Sequence, residues 1–305
     1  MEYKTGYNPT PQKEREALYQ TLTDSQGSHL FRDLAPQLRG TGKGKLSLPY
    51  KSVLKMDPAI YKREWQETND CNSWATIRAA DATRAVEIDI KGEPEEWIAP
   101  GATEWIYWFR GSRANQGMNP AQSIRALIQC GYLIRKNYPG LMDLSKYSPQ
   151  VAAMYGDHQP EAALKAASEH KFGYWAKIES VEEAADALAN GYGLWQGSNH
   201  IVGNRNSEGI AEYKGPCSHA QGILGCDYTR EEPTFTGVNS WPPSWIQGGV
   251  PEWARNDGDD FANRYQIRAK LMEWIIQTGE VFAVGDFNGF PRRQLPDYGS
   301  ASYLG

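Results

Sequence analysis

The stretch Gly237-Val238-Asn239-Ser240-Trp241 decides how this chain is read, because it closes an ordered set that begins with Gln66 and Cys71 and continues through Ser218-His219-Ala220. A thiol, an imidazole and a carboxamide, in that order, are the groups needed for a nucleophile, its base and the acceptor that orients the base. Each piece alone is weak. An Asn before Ser is commonly a turn residue, a lone His a satisfied structural one, and a lone Cys a small buried hydrophobe.

Upstream, Cys71 lies where the polar Glu67-Thr68-Asn69-Asp70 segment meets a helical pattern. Ala75, Ala79, Ala82 and Val86 recur on one face of a helix expected to start at an Asp70 cap and end near Ile90. Unpaired N–H groups at a helix start stabilise a thiolate, whereas the adjacent Asp70 carboxylate opposes one. His219 precedes the apolar strand expected over Ala220 to Tyr228, and Asn239 follows the next, Thr234 to Val238. If those strands pair, the Asn239 amide oxygen is in reach of a ring N–H of His219 and fixes its tautomer.

The remaining pattern runs from helices to strands. Helices are expected over Lys13 to Thr23, from Asn119-Pro120 to Lys136, over Glu161 to His170, and from Ser180 to the Asn190-Gly191 stop. Strands are expected over Tyr192 to Gln196 and Glu280 to Phe287, with a helix over Ala262 to Gln277 that puts Ile267, Leu271, Trp274 and Ile275 on one side. Helices first and strands later means α+β. Residues 1–60, polar and broken by Pro and by Gly40-Thr41-Gly42-Lys43-Gly44-Lys45, read as an extended arm with one short helix ahead of a single domain over 61–305. Composition leaves open whether the arm is a strap over its own domain, a propeptide or a limb to a neighbouring subunit.

Charge excludes some partners. A net charge of -5 and a pI near 5.7 offer no general attraction for nucleic acid. The sequence contains neither an apolar signal core nor a run long enough for a membrane span, so synthesis in a cytoplasm is expected. Cys71, Cys130, Cys217 and Cys226 form no CxxC pair and are expected as free thiols. Cys217, His219 and Cys226 cluster without a zinc spacing, so neither metal nor cofactor is expected. The 11 Trp and 17 Tyr fill a core or groove and keep a protein-contact role open.

Together these residues resemble the papain-like cysteine peptidase superfamily. Trp65-Gln66-Glu67-Thr68-Asn69-Asp70-Cys71-Asn72-Ser73-Trp74-Ala75 is similar to its Gln-to-Cys segment, Ser218-His219-Ala220 to its His strand, and Asn239-Ser240-Trp241-Pro242-Pro243-Ser244-Trp245 to its Asn-Ser-Trp segment. The Asp70-Cys71 junction and the Ala189 to Tyr192 entry are most similar to papain-like proteins encoded in bacteriophage genomes. The resemblance implies an α+β fold in which a helical half, carrying the nucleophile helix, packs on an antiparallel β half. It also implies that Cys71 attacks an acyl carbon, His219 moves the proton, Asn239 orients His219 beneath the shield of Trp241, and Gln66 with the Cys71 N–H meets the oxyanion. The implied chemistry is hydrolysis of a peptide or related amide, through a thioester, in a peptide or protein substrate.

This sequence departs from that pattern in register. Gln66 precedes Cys71 by five positions where the family has six, Pro242 stands where the family has Gly, and in a second register Ser73 takes the nucleophile position. A second expectation therefore stands beside the first. It is a catalytically degenerate papain-fold structural protein of a virion, in the capsid or tail, that meets other virion proteins through its N-terminal arm.

Overall fold

The computed structural model describes residues 3–91, 99–111, 116–154, 159–286, 288–293, 295–296 and 298–299. Its centre is the helix Cys71–Val86, all of whose residues are buried. The small side chains Ala75, Ala79 and Ala82 make that position possible, since helices on one side and a sheet on the other approach it closely. Thr83 fastens the helix to the sheet: its hydroxyl donates to the Val284 carbonyl at 3.0 Å, and the Gly193 N–H donates to its oxygen at 3.0 Å.

The sheet is antiparallel throughout and runs in the order Arg264–Arg268, Thr234–Val238, His219–Asp227, Leu194–Ser198, Glu280–Val284, Trp175–Lys177. One large apolar cluster lies on the helical side, around Trp105, Trp108, Ile124, Leu127 and Trp195. A second lies on the other side, around Leu188, Phe235, Ile267, Met272 and Val281. The α+β arrangement of a helical half on an antiparallel half is thus present. Among the described residues no helix is long and apolar enough to cross a membrane.

Antiparallel pairing also positions the site. Because His219–Asp227 and Thr234–Val238 run in opposite directions, with Gly222 opposite Val238, the start of the first strand and the end of the second lie at the same end of the sheet. His219 and Asn239 are the residues at that end.

Several expected elements end or begin elsewhere. The helix from Pro120 stops at Cys130, not Lys136, because Gly131 turns at φ 77 and closes on the Leu127 carbonyl. The helix expected from Ala262 is two elements: Arg264–Arg268 pairs residue by residue with Thr234–Val238, and only Ala269–Thr278 is helical. Phe261 and Asn263, at φ 55 and 57, turn the chain into that strand. Asp70 precedes its helix without capping it, its carboxylate accepting instead from the Trp74 indole at 3.2 Å and the Tyr147 hydroxyl at 2.9 Å. The strand at Glu280 ends at Val284, and Phe287, its expected end, lies outside the described residues.

Residues 3–60 pack onto the rest of the chain. Besides the helix Gln12–Gln26 they contain Leu46–Ser47, paired with Cys226 and Asp227, and the helix Pro49–Met56, which buries Tyr50 and Val53. The glycine-rich joint is pinned as well, with the Gly40 and Gly42 N–H groups each donating to the Asp186 carboxylate at 2.8 Å. Leu46, Leu48, Tyr50 and Val53 supply the apolar surface that holds this segment down.

Candidate active site

His219 opens a fully buried strand and is itself 1% exposed. One ring nitrogen, Nε2, lies 2.7 Å from Asn239 Oδ1. That amide oxygen also accepts from the Ser240 backbone N–H at 2.7 Å, which identifies it as the oxygen and makes Nε2 the protonated nitrogen. The other nitrogen, Nδ1, is buried with no hydrogen-bond partner. A neutral imidazole with its proton held on Nε2 leaves Nδ1 as a bare lone pair, which is what a base presents. Burial is the main cause lowering the His219 pKa to about 4, against a smaller upward push from Asn239.

Trp241 covers this pair, its ring stacked on His219 with centroids 4.3 Å apart. Cys71 begins the central helix with a sulfur that is wholly buried. Burial pushes its thiol well above the ordinary range, opposed by a backbone hydrogen bond from Ala220, while nearby Asp70 adds to the rise. Ala220 directly follows His219, so the strand that carries the imidazole passes near the sulfur. Ser73, the other nucleophile the sequence offers, turns instead to the Met118 sulfur at 3.7 Å.

Gln66 is drawn to the same end of the molecule by Ser240. Its backbone N–H donates to the Ser240 carbonyl at 2.7 Å, and its side-chain oxygen accepts from the Ser240 hydroxyl. Its amide nitrogen faces two other carbonyls, Lys4 at 2.9 Å and Thr68 at 3.0 Å, so both amide protons are already engaged.

The Lys4 contact belongs to a feature without a sequence signal: residues 3–10 cross the cleft. Tyr3 stacks on Trp241 at 4.7 Å, and the Lys4 carbonyl also accepts from the Trp241 indole at 2.6 Å. The Met118 N–H donates to the Gly6 carbonyl at 2.8 Å, and the Asn8 N–H donates to the Met118 carbonyl at 3.0 Å, a parallel bridge centred on Tyr7. Gly6 allows this approach, since a Cβ there would lie 2.0 Å from the Asn69 carbonyl oxygen. Tyr7 is buried beyond, its hydroxyl donating to Glu280 at 3.1 Å. Glu280 and Met118 carry no local motif.

Asp70 is the other unusual acid here. Burial raises its pKa to about 8, partly offset by the Tyr147 hydroxyl bond, with Glu104 pushing it further up. The carboxyl is therefore largely protonated at neutral pH, which lessens its repulsion of a Cys71 thiolate. Among the described residues no group of three or more His, Cys, Asp or Glu side chains is arranged to hold a metal ion.

No family model and no curated relative matches the chain. Solved structures do. Xylellain, a cysteine protease from Xylella fastidiosa, overlays 97% of this chain and 99% of its own at 12% identity with a TM-score of 0.55. The Amb a 11 cysteine protease, a major ragweed pollen allergen solved in its proform, overlays 79% of this chain and 65% of its own at 13% identity with a TM-score of 0.50. At such identities the likeness establishes architecture: the fold is the papain-like α+β fold, that of cysteine proteases.

Proposed function

We propose that this chain is a papain-like cysteine peptidase or amidase whose own N-terminal segment occupies its cleft. The observation that carries the reading is the buried His219, its Nε2 proton held by Asn239 and its Nδ1 bare, on a strand that passes near the Cys71 sulfur. In this reading the Cys71 proton passes to His219 Nδ1 as the sulfur attacks an acyl carbon, and the oxyanion is met by the Cys71 N–H and Gln66 Nε2. Collapse expels the amine, which takes the proton back from His219 and leaves a thioester. Water then cleaves the thioester with His219 again as base. Substrates are peptides or proteins.

The Gln66 amide faces Lys4 as well as Thr68, so oxyanion binding begins with departure of residues 3–8, which frees one N–H. A neighbour of the same fold was solved in a proform, and a covering N-terminal segment is consistent with a proform here. The test is alkylation of the full-length chain by iodoacetamide, mapped by mass spectrometry, in a Tyr3→Ala/Tyr7→Ala background that loosens the segment. Cys71 should react fastest of the four cysteines, and His219→Ala should slow it at least about tenfold, the effect of losing a general base. Equal, slow modification of all four rejects the reading.

A second reading, a catalytically silent contact module of a virion, draws on the filled cleft and on the exposed Tyr213 and Trp274, which pack edge to face at 5.0 Å. It expects the protein in stoichiometric amount in purified particles and normal assembly with Cys71→Ala. Absence from particles sinks it.

A further inference from the structure

The helix that carries Cys71 turns one face to a cavity that the mechanism above does not use. Trp74, Arg78 and Asp81 recur on that face and, with Arg63, Glu64 and Arg135, line a narrow neck of about 10 Å3, room for a single small group. The neck opens into an outer cleft of about 810 Å3, with which it shares Arg63, Glu64, Pro100 and Arg135. One wall of that cleft is Trp65, a large apolar side chain left 36% exposed. Arg78 follows Cys71 by seven residues of helix, ~10 Å at the rise of an α-helix, so the neck is not where the acyl chemistry takes place.

The charges of the neck are paired with one exception. Arg63 bridges Asp57 at 2.5 Å, and Arg135 bridges Glu64 at 2.8 Å and Glu104 at 3.2 Å. Asp81 accepts from the Gly101 N–H at 3.1 Å and faces Arg84 at 3.6 Å. Arg78 is only 6% exposed, its guanidinium over the Tyr61 ring at 5.0 Å and the Trp74 ring at 5.3 Å. A terminal N–H donates to the Ile60 carbonyl at 3.0 Å, Nε is buried with no partner, and among the described residues Arg78 has no ion-pair partner. Burial pulls its pKa down, with Tyr61, Asp81 and Glu64 opposing. A guanidinium nevertheless keeps its proton at neutral pH, so the fold holds a buried cation short of a counter-ion, a costly state that an anion relieves.

We infer that Arg78 is the floor of a binding site for an organic carboxylate, whose charged end enters the neck and whose apolar body lies in the outer cleft against Trp65. A carboxylate oxygen in the neck supplies the missing charge and accepts the free Nε–H, a charge-assisted bond. A chloride ion fits the neck but leaves the cleft and Trp65 unused, and a phosphate has too many oxygens for so small a space. The site stands whether or not Cys71 is a nucleophile.

The experiment titrates the full-length chain by calorimetry with benzoate, a flat ring bearing a carboxylate, beside neutral benzamide, acetate and chloride in one buffer. Benzoate should bind at least about tenfold more tightly than benzamide, as a charge-assisted pair requires. Arg78→Met keeps an unbranched stem between the rings and removes the charge, a change that buried cations commonly tolerate, and it should erase the difference. Trp65→Ala, at an exposed position, should weaken benzoate at least about threefold and leave acetate unchanged. Lys146→Ala, which removes an exposed cation of the outer cleft, should alter benzoate binding less than about twofold.

Equal binding of benzoate and benzamide, or benzoate binding that survives Arg78→Met, overturns the inference. Chloride binding lost in Arg78→Met, with no binding of benzoate, overturns it as well, since the neck then takes a bare ion only. Should Arg78→Met fail to fold, Arg78→Lys decides: it keeps the charge, loses Nε–H, and should cut benzoate affinity at least about threefold with benzamide unchanged. Unchanged benzoate affinity in Arg78→Lys removes Nε from the site and the inference with it.

Discussion

Replacing Tyr7 with Ala tests whether the N-terminal segment gates the site. Tyr7 is 4% exposed, packs against Trp195 with ring centroids 6.2 Å apart, and donates to Glu280. Deleting a buried aromatic ring costs ~3 kcal/mol, and leaving the Glu280 carboxylate with one donor fewer costs ~1 kcal/mol more. The loss falls on the docked segment and hardly on the undocked one. With ~1.4 kcal/mol per factor of ten, the undocked fraction should rise by roughly two to three orders of magnitude. Cys71 is wholly buried, so alkylation requires opening and its rate follows that fraction. Iodoacetamide labelling of full-length protein at pH 8, mapped peptide by peptide, should therefore accelerate about a hundredfold or more at Cys71 while Cys130 changes less than about twofold. A Cys71 rate that rises less than about threefold refutes gating by this segment, and a parallel rise at Cys130 attributes the effect to global unfolding.

Three further outcomes follow from the same geometry. Asn239→Ala leaves His219 Nε2–H buried and unpaired, which should destabilise the fold by ~1–3 kcal/mol in urea titrations and lower turnover roughly tenfold to a hundredfold with little change in KM. The His219 pKa lies near 4 in the fold and 6.5 outside it, so the unfolded chain binds more protons between those values. Its contribution to stability is full above 6.5 and is lost as pH falls toward 4, with a slope of up to ~1.4 kcal/mol per pH unit, and His219→Gln should flatten that window. Asp70 has the opposite sign, near 8 in the fold against 3.8 outside: its contribution is full below 3.8 and is lost as pH rises through 8. Asp70→Asn should therefore make the protein at least ~1 kcal/mol more stable at pH 8 to 9, and a fall in midpoint there would show that the fold does not raise this carboxyl.

The readable and unreadable parts of this sequence differ in how far their partners lie along the chain. His219 and Asn239 were legible because consecutive antiparallel strands bring a strand start and the following strand's end to one end of the sheet. The central helix was legible because Ala75, Ala79, Ala82 and Val86 repeat on one face. Arg264–Arg268 was misread because Ile267, Leu271 and Ile275 continue a helical spacing across a strand-to-helix junction, and only sheet pairing separates the two. The crossing segment had no signal at all. Its contacts join residues 3–10 to Gln66, Met118, Trp241 and Glu280, and a glutamate opening a strand looks exposed until a tyrosine from the other end of the chain is laid over it.

On the peptidase reading, that segment also bears on the charge state of the site. With residues 3–10 in place, burial holds the Cys71 thiol high and the His219 imidazole low, so the two are neutral and the Gln66 amide is engaged. Residues 3–10 add to this covering, with the Tyr3 ring on Trp241 and the Tyr7 ring beside Glu280. Departure of the segment readmits water, lowers the thiol and raises the imidazole, and so favours thiolate and imidazolium over the neutral pair. It also frees an amide proton where an oxyanion forms. On the peptidase reading, uncovering the cleft and activating the nucleophile are thus one event.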